Sequence, residues 1–374
     1  MQWLRNTSYM LIVIIGSGFL LLEGRSLLFP FLFAIFFSFL LIPLEKWLFV
    51  KTKRKVLSIV GSLLIVLGAV GGLGFVFGYQ LINIVSDMSS IQGQLQKGIE
   101  SIVMFIDTNV PYVEMPADQQ SMNDMIGNIL QAPVQFVGSG ISSSAGFIVN
   151  ATITLIYTIF LLIYKDAFKD FIMIQFSKDK REEIASIISQ SVEMIQHYLM
   201  GMVTVVIILA FLNTTGLLLI GVEHAVFWGV LAAFLVIIPY IGTILGGLLP
   251  FLYSLATYEY SWQPVAVVCM YVVIQQIEGN FITPKIVGSS VRINPFFALI
   301  GIVIMGSLMG LGGIVLAIPV MAILKLVADS IDYLKPVALL MDKDLMKKRH
   351  LFYAKYDRDD YRFSSLMKEK QVRR

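Results

Sequence analysis

Residues 225–258 read AVFWGVLAAFLVIIPYIGTILGGLLPFLYSLATY, 34 residues without one charged side chain. As one helix this run would be about 51 Å long, against a hydrocarbon layer of about 30 Å. Near its middle stands Pro239-Tyr240-Ile241-Gly242, a helix-breaking sequence. A second overlong run, residues 296–327, is interrupted in the same way by Gly310-Leu311-Gly312-Gly313. Each run divides into arms of roughly 15 residues, or about 23 Å. Two readings follow for each: a single tilted, broken span, or a helical hairpin that enters and leaves by one face. Lipid offers no hydrogen bonds to freed N–H and C=O groups, so such breaks need protein or a watery cavity around them. The same glycines form the close-packing pairs Gly242/Gly246 and Gly306/Gly310.

The rest of the chain fits a bilayer. Of 374 residues, 57% are apolar and 14% charged, against about 25% charged in an ordinary soluble protein. Uncharged runs of near span length lie at about 7–22, 26–44, 56–79, 147–164, 199–221 and 263–278. The expected fold is all-α: a polytopic integral membrane protein with about six full spans, two broken helical hairpins and amphipathic helices on both sides. A single transporter domain at 1–340 and a charged tail at 341–374 are expected. The first run is a retained span and not a signal peptide, because no small-residue cleavage pattern separates it from the second.

Basic residues fix orientation, since Lys and Arg are held on the cytoplasmic side. Residues 45–55 carry Lys46, Lys51, Lys53, Arg54 and Lys55, whereas residues 80–146 carry Lys97 beside six acids. Residues 165–197 and the tail are again basic. Both termini are therefore expected in the cytoplasm, and the hairpin reading, which places Lys285 and Arg292 inside, suits this rule better than broken spans. Within 80–146 and within 165–197, apolar residues recur at helical spacing (Ile84, Met88, Ile91, Leu95; Ile184, Ile187, Ile188, Ile195), predicting an extracytoplasmic helical insert and a cytoplasmic amphipathic helix.

Several function classes fall away. Net charge is +3, and the histidines His197, His224 and His350 lie far apart, so neither nucleic-acid binding nor a histidine metal centre is indicated. Cys269 alone cannot form an intrachain disulfide. No Gly-x-x-x-x-Gly-Lys-Ser/Thr phosphate loop, His-Glu-x-x-His site or paired membrane aspartate is found, so no cofactor, metal or catalytic residue is assigned and the chain is not read as an enzyme. Polar groups concentrate instead at Gln275, Gln276, Glu278, Asn280 and Thr283, after the 263–278 span. Helical spacing puts Gln275 beside Glu278 and Gln276 beside Asn280, with Pro284 expected to end the helix. Amides, a hydroxyl and an acid at a cavity mouth suit a small polar solute. A plainer role for Glu278 is a headgroup-level acid paired with Lys285.

The run Glu278-Gly279-Asn280-Phe281-Ile282-Thr283-Pro284-Lys285, with Val291-Arg292-Ile293-Asn294-Pro295, the Pro239–Gly242 turn and Gly310–Pro319, resembles the autoinducer-2 exporter family of bacterial permeases over about residues 5–335. The resemblance implies a multi-pass protein of the bacterial inner membrane and a homo-oligomer, pentameric in family members of known structure. It also implies two helical hairpins forming the solute site and an elevator-like motion. The expected function is a secondary transporter or exporter of a small polar molecule such as autoinducer-2 or a similar polyol. Candidate solute contacts are Pro239, Gly242, Gln275, Gln276, Glu278, Asn280, Thr283, Gly310, Gly312 and Gly313. The competing expectations are a sodium or lithium/proton antiporter, which needs acids deep in the membrane, and a structural or assembly protein, which leaves the broken runs unexplained.

Overall fold

The computed structural model describes residues 23–86, 144–258, 262–288 and 291–358, with Gly16, Phe19 and Tyr361. The described residues are helical almost throughout, and their one β-type pairing is an isolated bridge between Ile293 and Asp342. The helices are α1 (Arg25–Thr52), α2 (Lys55–Ser86), α3 (Ser144–Ile174), α4 (Arg181–Ile220), α5 (Ala225–Leu235), α6 (Ile241–Thr257), α7 (Gln263–Ile277), α8 (Pro295–Ser330), α9 (Lys335–Leu340) and α10 (Leu345–Lys348). Six helical stretches among the described residues are long and apolar enough to cross a membrane: α1 to α4, the continuous stretch Gln263–Ile286 that begins as α7, and α8, which is kinked at Gly310. Five of the spans read from the sequence match α1 to α4 and α7. The sixth, at 7–22, lies outside the described residues apart from Gly16 and Phe19, and so does nearly all of the 80–146 insert.

The apolar stripe from Ile184 to Tyr198 runs into the next span as one 40-residue helix, α4, as its spacing leads one to expect, while α3 extends to Ile174, into the first part of 165–197. Neither glycine nor proline falls between Arg181 and Met200, so nothing in that sequence stops the helix. The charged tail begins inside the fold, because Met341 and Asp342 are buried.

The chain forms two compact units. One gathers the described residues of Met1–Ser62, Asn150–Met200 and Val287–Arg374; the other gathers those of Leu63–Val149 and Gly201–Ile286. In the first, Phe36, Ile195 and Leu316 make one buried cluster, and Ile302, Met305 and Ala317 another. Its helix ends are tied by charge: buried Glu45 accepts from Lys165 at 3.0 Å, and Lys55 donates to the Ile163 carbonyl at 3.0 Å. In the second unit, Leu217, Phe227, Trp228, Tyr253, Val267 and Tyr271 belong to a core built by α4, α5, α6 and α7 with Ile84 of α2. Large apolar residues such as Phe75 and Leu219 point outward, which a protein surrounded by acyl chains tolerates and one in water does not.

Candidate functional site

The first overlong run is two helices. Helix α5 has 11 residues and α6 has 17, about 16 and 26 Å, so neither reaches across about 30 Å of hydrocarbon. The arms are unequal because the break falls early, at residues 236–240. There the Ile241 N–H donates to the Pro239 carbonyl at 2.8 Å, and Tyr240 between them has φ 59° and ψ −55°. That geometry is a γ-turn of the rare, strained kind, held here by a non-glycine residue. Gly242, buried just after it, is obligatory: a Cβ there would lie 1.6 Å from the Leu235 carbonyl oxygen. At the other end of the run the chain closes on itself. The Tyr258 hydroxyl donates to the Gly221 carbonyl (2.8 Å) and accepts from the Glu223 N–H (2.9 Å), and the Trp228 and Tyr253 rings meet at a tilt of 40° with centroids 5.1 Å apart. Residues before α5 and after α6 thus meet at one end.

The second run, α8, is interrupted at Gly310, whose φ of 60° and ψ of −145° are open essentially to glycine alone. Gly313 follows, buried, with its Cβ position 1.9 Å from the Met305 carbonyl oxygen. Gly312 faces the Phe29 and Phe33 rings of α1. This run is also closed at its base. Lys325, 7% exposed, donates to the Arg292 carbonyl at 2.7 Å and to the Asp342 carboxylate at 3.0 Å. Asn294 caps the helix by accepting from the Phe297 N–H, and its amide donates to the Leu340 carbonyl at 2.7 Å. Pro295 stands at the first turn, where its missing N–H costs nothing. Asp342 accepts further from Lys348 (3.1 Å) and the Asp344 N–H (2.8 Å). Burial works against its charge, but these hydrogen bonds prevail and hold the carboxyl down at about 2.

Of the amide-rich group, Asn280 does reach Gln276, donating to its side-chain oxygen at 3.0 Å and its carbonyl at 2.9 Å. The Glu278 carboxylate takes the Thr283 hydroxyl as its partner and not Lys285. Pro284 does not end the helix. The chain widens into a π-helical turn, Glu278–Ile282, in which the Thr283 N–H bonds to the Glu278 carbonyl, and helix resumes over Thr283–Ile286. The wider turn removes the need for the N–H that Pro284 lacks, and such turns are frequent at functional sites. Gln276 and Asn280 are exposed; Gln275, Glu278 and Thr283 are half-buried.

Pro239, Gly242 and the 275–283 group belong to one unit, whereas Gly310, Gly312 and Gly313 belong to the other. The core of the former holds polar groups that no motif announces. Asn213 Oδ1, Thr214 Oγ1, Trp228 Nε1, Ser254 Oγ and the Tyr271 hydroxyl are buried without a hydrogen-bond partner. They come from α4, α5, α6 and α7, and Gly229 of α5 abuts Thr214 of α4. Each orphaned group costs on the order of 1–3 kcal/mol. The set mixes donors with acceptors and includes no charge.

A bundle of bilayer-length helices, carrying two runs that double back between tied ends, is the architecture of a membrane transport protein. The chain belongs to the AI-2E transporter family, whose model matches residues 9–332. It is 24% identical to YrrI of Bacillus subtilis (strain 168) over 315 residues, covering 80% of this chain and 85% of that protein. Over 319 residues it is 24% identical to YueF of the same organism, covering 80% and 83%. The AI-2 transport protein TqsA of Escherichia coli (strain K12) is 26% identical over 161 residues, covering 43% of this chain and 46% of TqsA.

Proposed function

We propose that the protein is a secondary transporter that exports a small, neutral polar molecule, of the autoinducer-2 kind or a similar polyol, by an elevator-like motion. The observation that carries this reading is the pair of broken helical runs, each tied at its base by Tyr258 or by Lys325 and ending in a tip of irregular backbone. In a bilayer, such tips call for a polar cavity. The uncharged set at Asn213, Thr214, Trp228, Ser254 and Tyr271 supports a neutral, hydroxyl-bearing cargo over an ion. Antiport needs an unpaired carboxylate at membrane depth. Among the described residues the buried carboxylates, Glu45 and Asp342, already hold lysines, and the two remaining candidates, Glu278 and Glu223, stand at span ends, Glu278 only half-buried and hydrogen-bonded to Thr283.

The test is solute flux in liposomes. Wild-type protein is expected to move labelled autoinducer-2 or a small polyol. Loss of the Glu278 charge, which turns the Thr283 hydrogen bond from a charge-assisted into a neutral one, in Glu278→Gln should slow it about ten-fold, the effect of about 1.4 kcal/mol, and Gly312→Leu should slow it at normal expression. Unchanged flux in both variants would remove these residues from the solute path.

In the same reading the protein sits in the bacterial inner membrane with both termini in the cytoplasm. A cysteine at Glu223, in a Cys269→Ala background, should label from outside intact cells, and one at Arg349 only after permeabilisation. The reverse pattern would invert the topology. A homo-oligomer, pentameric by the family resemblance, is part of the proposal. It is supported by the pairs Gly68/Gly72 and Gly74/Gly78 on α2, whose Cβ positions meet nothing among the described residues and which would admit a neighbouring helix at close range.

A further inference from the structure

At the base of α8 lies an open groove of about 390 Å³ that the transport reading does not use. Its walls are Phe296, Phe297, Leu340, Leu345 and Met346, with Lys343 at the polar end. Phe296 and Met346 are 66% and 80% exposed, so two large apolar side chains stand open on the rim of a charged segment. The groove's backbone is fixed. Asn294 is spent on capping α8 and holding Leu340, and Lys348 is tied to Asp342, which keeps α10 against the hairpin base. Lys343, Lys347 and Arg349 are exposed, and the only acid between residues 343 and 349, Asp344, lies 3.8 Å from Lys347 in a solvent-exposed pair that leaves donors on Lys347 for a phosphate.

We propose that this groove binds an anionic phospholipid, one acyl chain lying on Phe296, Leu340 and Met346 and the phosphate meeting Lys343 and Lys347. The charge is complementary, and the shape is that of an amphiphile: an apolar trough leading to cations, at the point where an apolar helix begins. Short basic segments beside membrane helices attract anionic headgroups by about 1 kcal/mol per lysine. A soluble protein partner would meet Met346 and Phe296 in water, whereas a membrane places acyl chains there at full concentration. A bound lipid would also bridge α8 to α10, adding to the clasp that Lys325 and Asp342 make.

The experiment uses the full chain in vesicles of phosphatidylcholine containing a photoactivatable phosphatidylglycerol. Crosslinks are expected in peptides covering 294–297 and 340–349. Unlabelled phosphatidylglycerol should compete, while phosphatidylcholine and inorganic phosphate should not, which separates a lipid from a free anion. Lys343→Glu with Lys347→Glu should cut labelling about five-fold or more per lysine, and Lys343→Arg should preserve it. Wild-type thermal stability of the charge variants, measured in parallel, excludes unfolding as the cause; if they unfold, the loss in Met346→Glu is read instead. Equal competition by phosphatidylcholine, labelling elsewhere on the chain, or a second copy of the chain or another protein crosslinked in the groove would each overturn the proposal.

Discussion

Gly242→Ala is expected to leave little folded protein in the membrane. The added methyl would stand 1.6 Å from the Leu235 carbonyl oxygen, a backbone atom that cannot swing aside as a side chain can. Overpacking a core costs about 1–3 kcal/mol when side chains can adjust, and here the turn at Tyr240 must itself be rebuilt. The loss should therefore exceed about 3 kcal/mol, seen as a collapse of the monodisperse fraction in detergent and of the thermal midpoint. Gly313→Ala, 1.9 Å from the Met305 carbonyl, should behave alike. Gly312→Ala meets the edges of the Phe29 and Phe33 rings and should be the mildest of the three. A wild-type midpoint for Gly242→Ala would mean that the two arms do not approach as described.

Lys325→Met should be the most damaging single change at the other hairpin. It removes one partner of a buried ion pair and leaves the Arg292 carbonyl and part of the Asp342 carboxylate unmatched, a loss of about 3–5 kcal/mol. Replacing both partners, Lys325→Met with Asp342→Leu, should recover much of it, since no unpaired charge then remains. The same pair sets an acid limit on the fold. Asp342 titrates at about 2 when folded, below its ordinary 3.8. A depressed carboxyl stabilises the native state above its unfolded value, so its contribution, about 2 kcal/mol, is complete at pH 6 and fades as pH falls through 4 towards 2. Thermal midpoints of wild type and Asp342→Asn across pH 6 to 3 should converge at the acid end; parallel curves would show that Asp342 carries no such linkage.

Much of the scaffold was legible because lipid permits so few backbones. Uncharged runs at 26–44, 56–79, 147–164, 199–221 and 263–278 each mark a helix, and Pro239–Gly242 and Gly310–Gly313 locate both breaks. Local spacing also reached the Gln276–Asn280 contact. It failed at Pro284, since a proline normally stops a helix and only the widened turn from Glu278 to Ile282 lets it pass. It failed again for Ser254 and Tyr271, each a lone polar residue in an apolar run, and for Asn213 and Thr214, a short polar step within a span. Their shared feature is burial in one core, which depends on how α4 to α7 pack. The only sequence signal available was an amide beside a hydroxyl, Asn213-Thr214, in the middle of a span. The Lys325–Asp342 pair was hidden for another reason: Lys325 lies near the end of the apolar run 296–327 while Asp342 stands in the charged stretch 341–374 that reads as a solvated tail, and nothing local joins the two.

The Asp342 clasp also orders events during synthesis. Asp342 lies 17 residues downstream of Lys325, so both arms of α8 are made before the group that fastens them exists. Until the ribosome passes residue 342, Lys325 is an unmatched cation on a newborn helix, and the arms can still part. The last stretch of the chain to emerge is thus a latch on what preceded it, and a message cut short before Asp342 yields a hairpin that inserts without being secured.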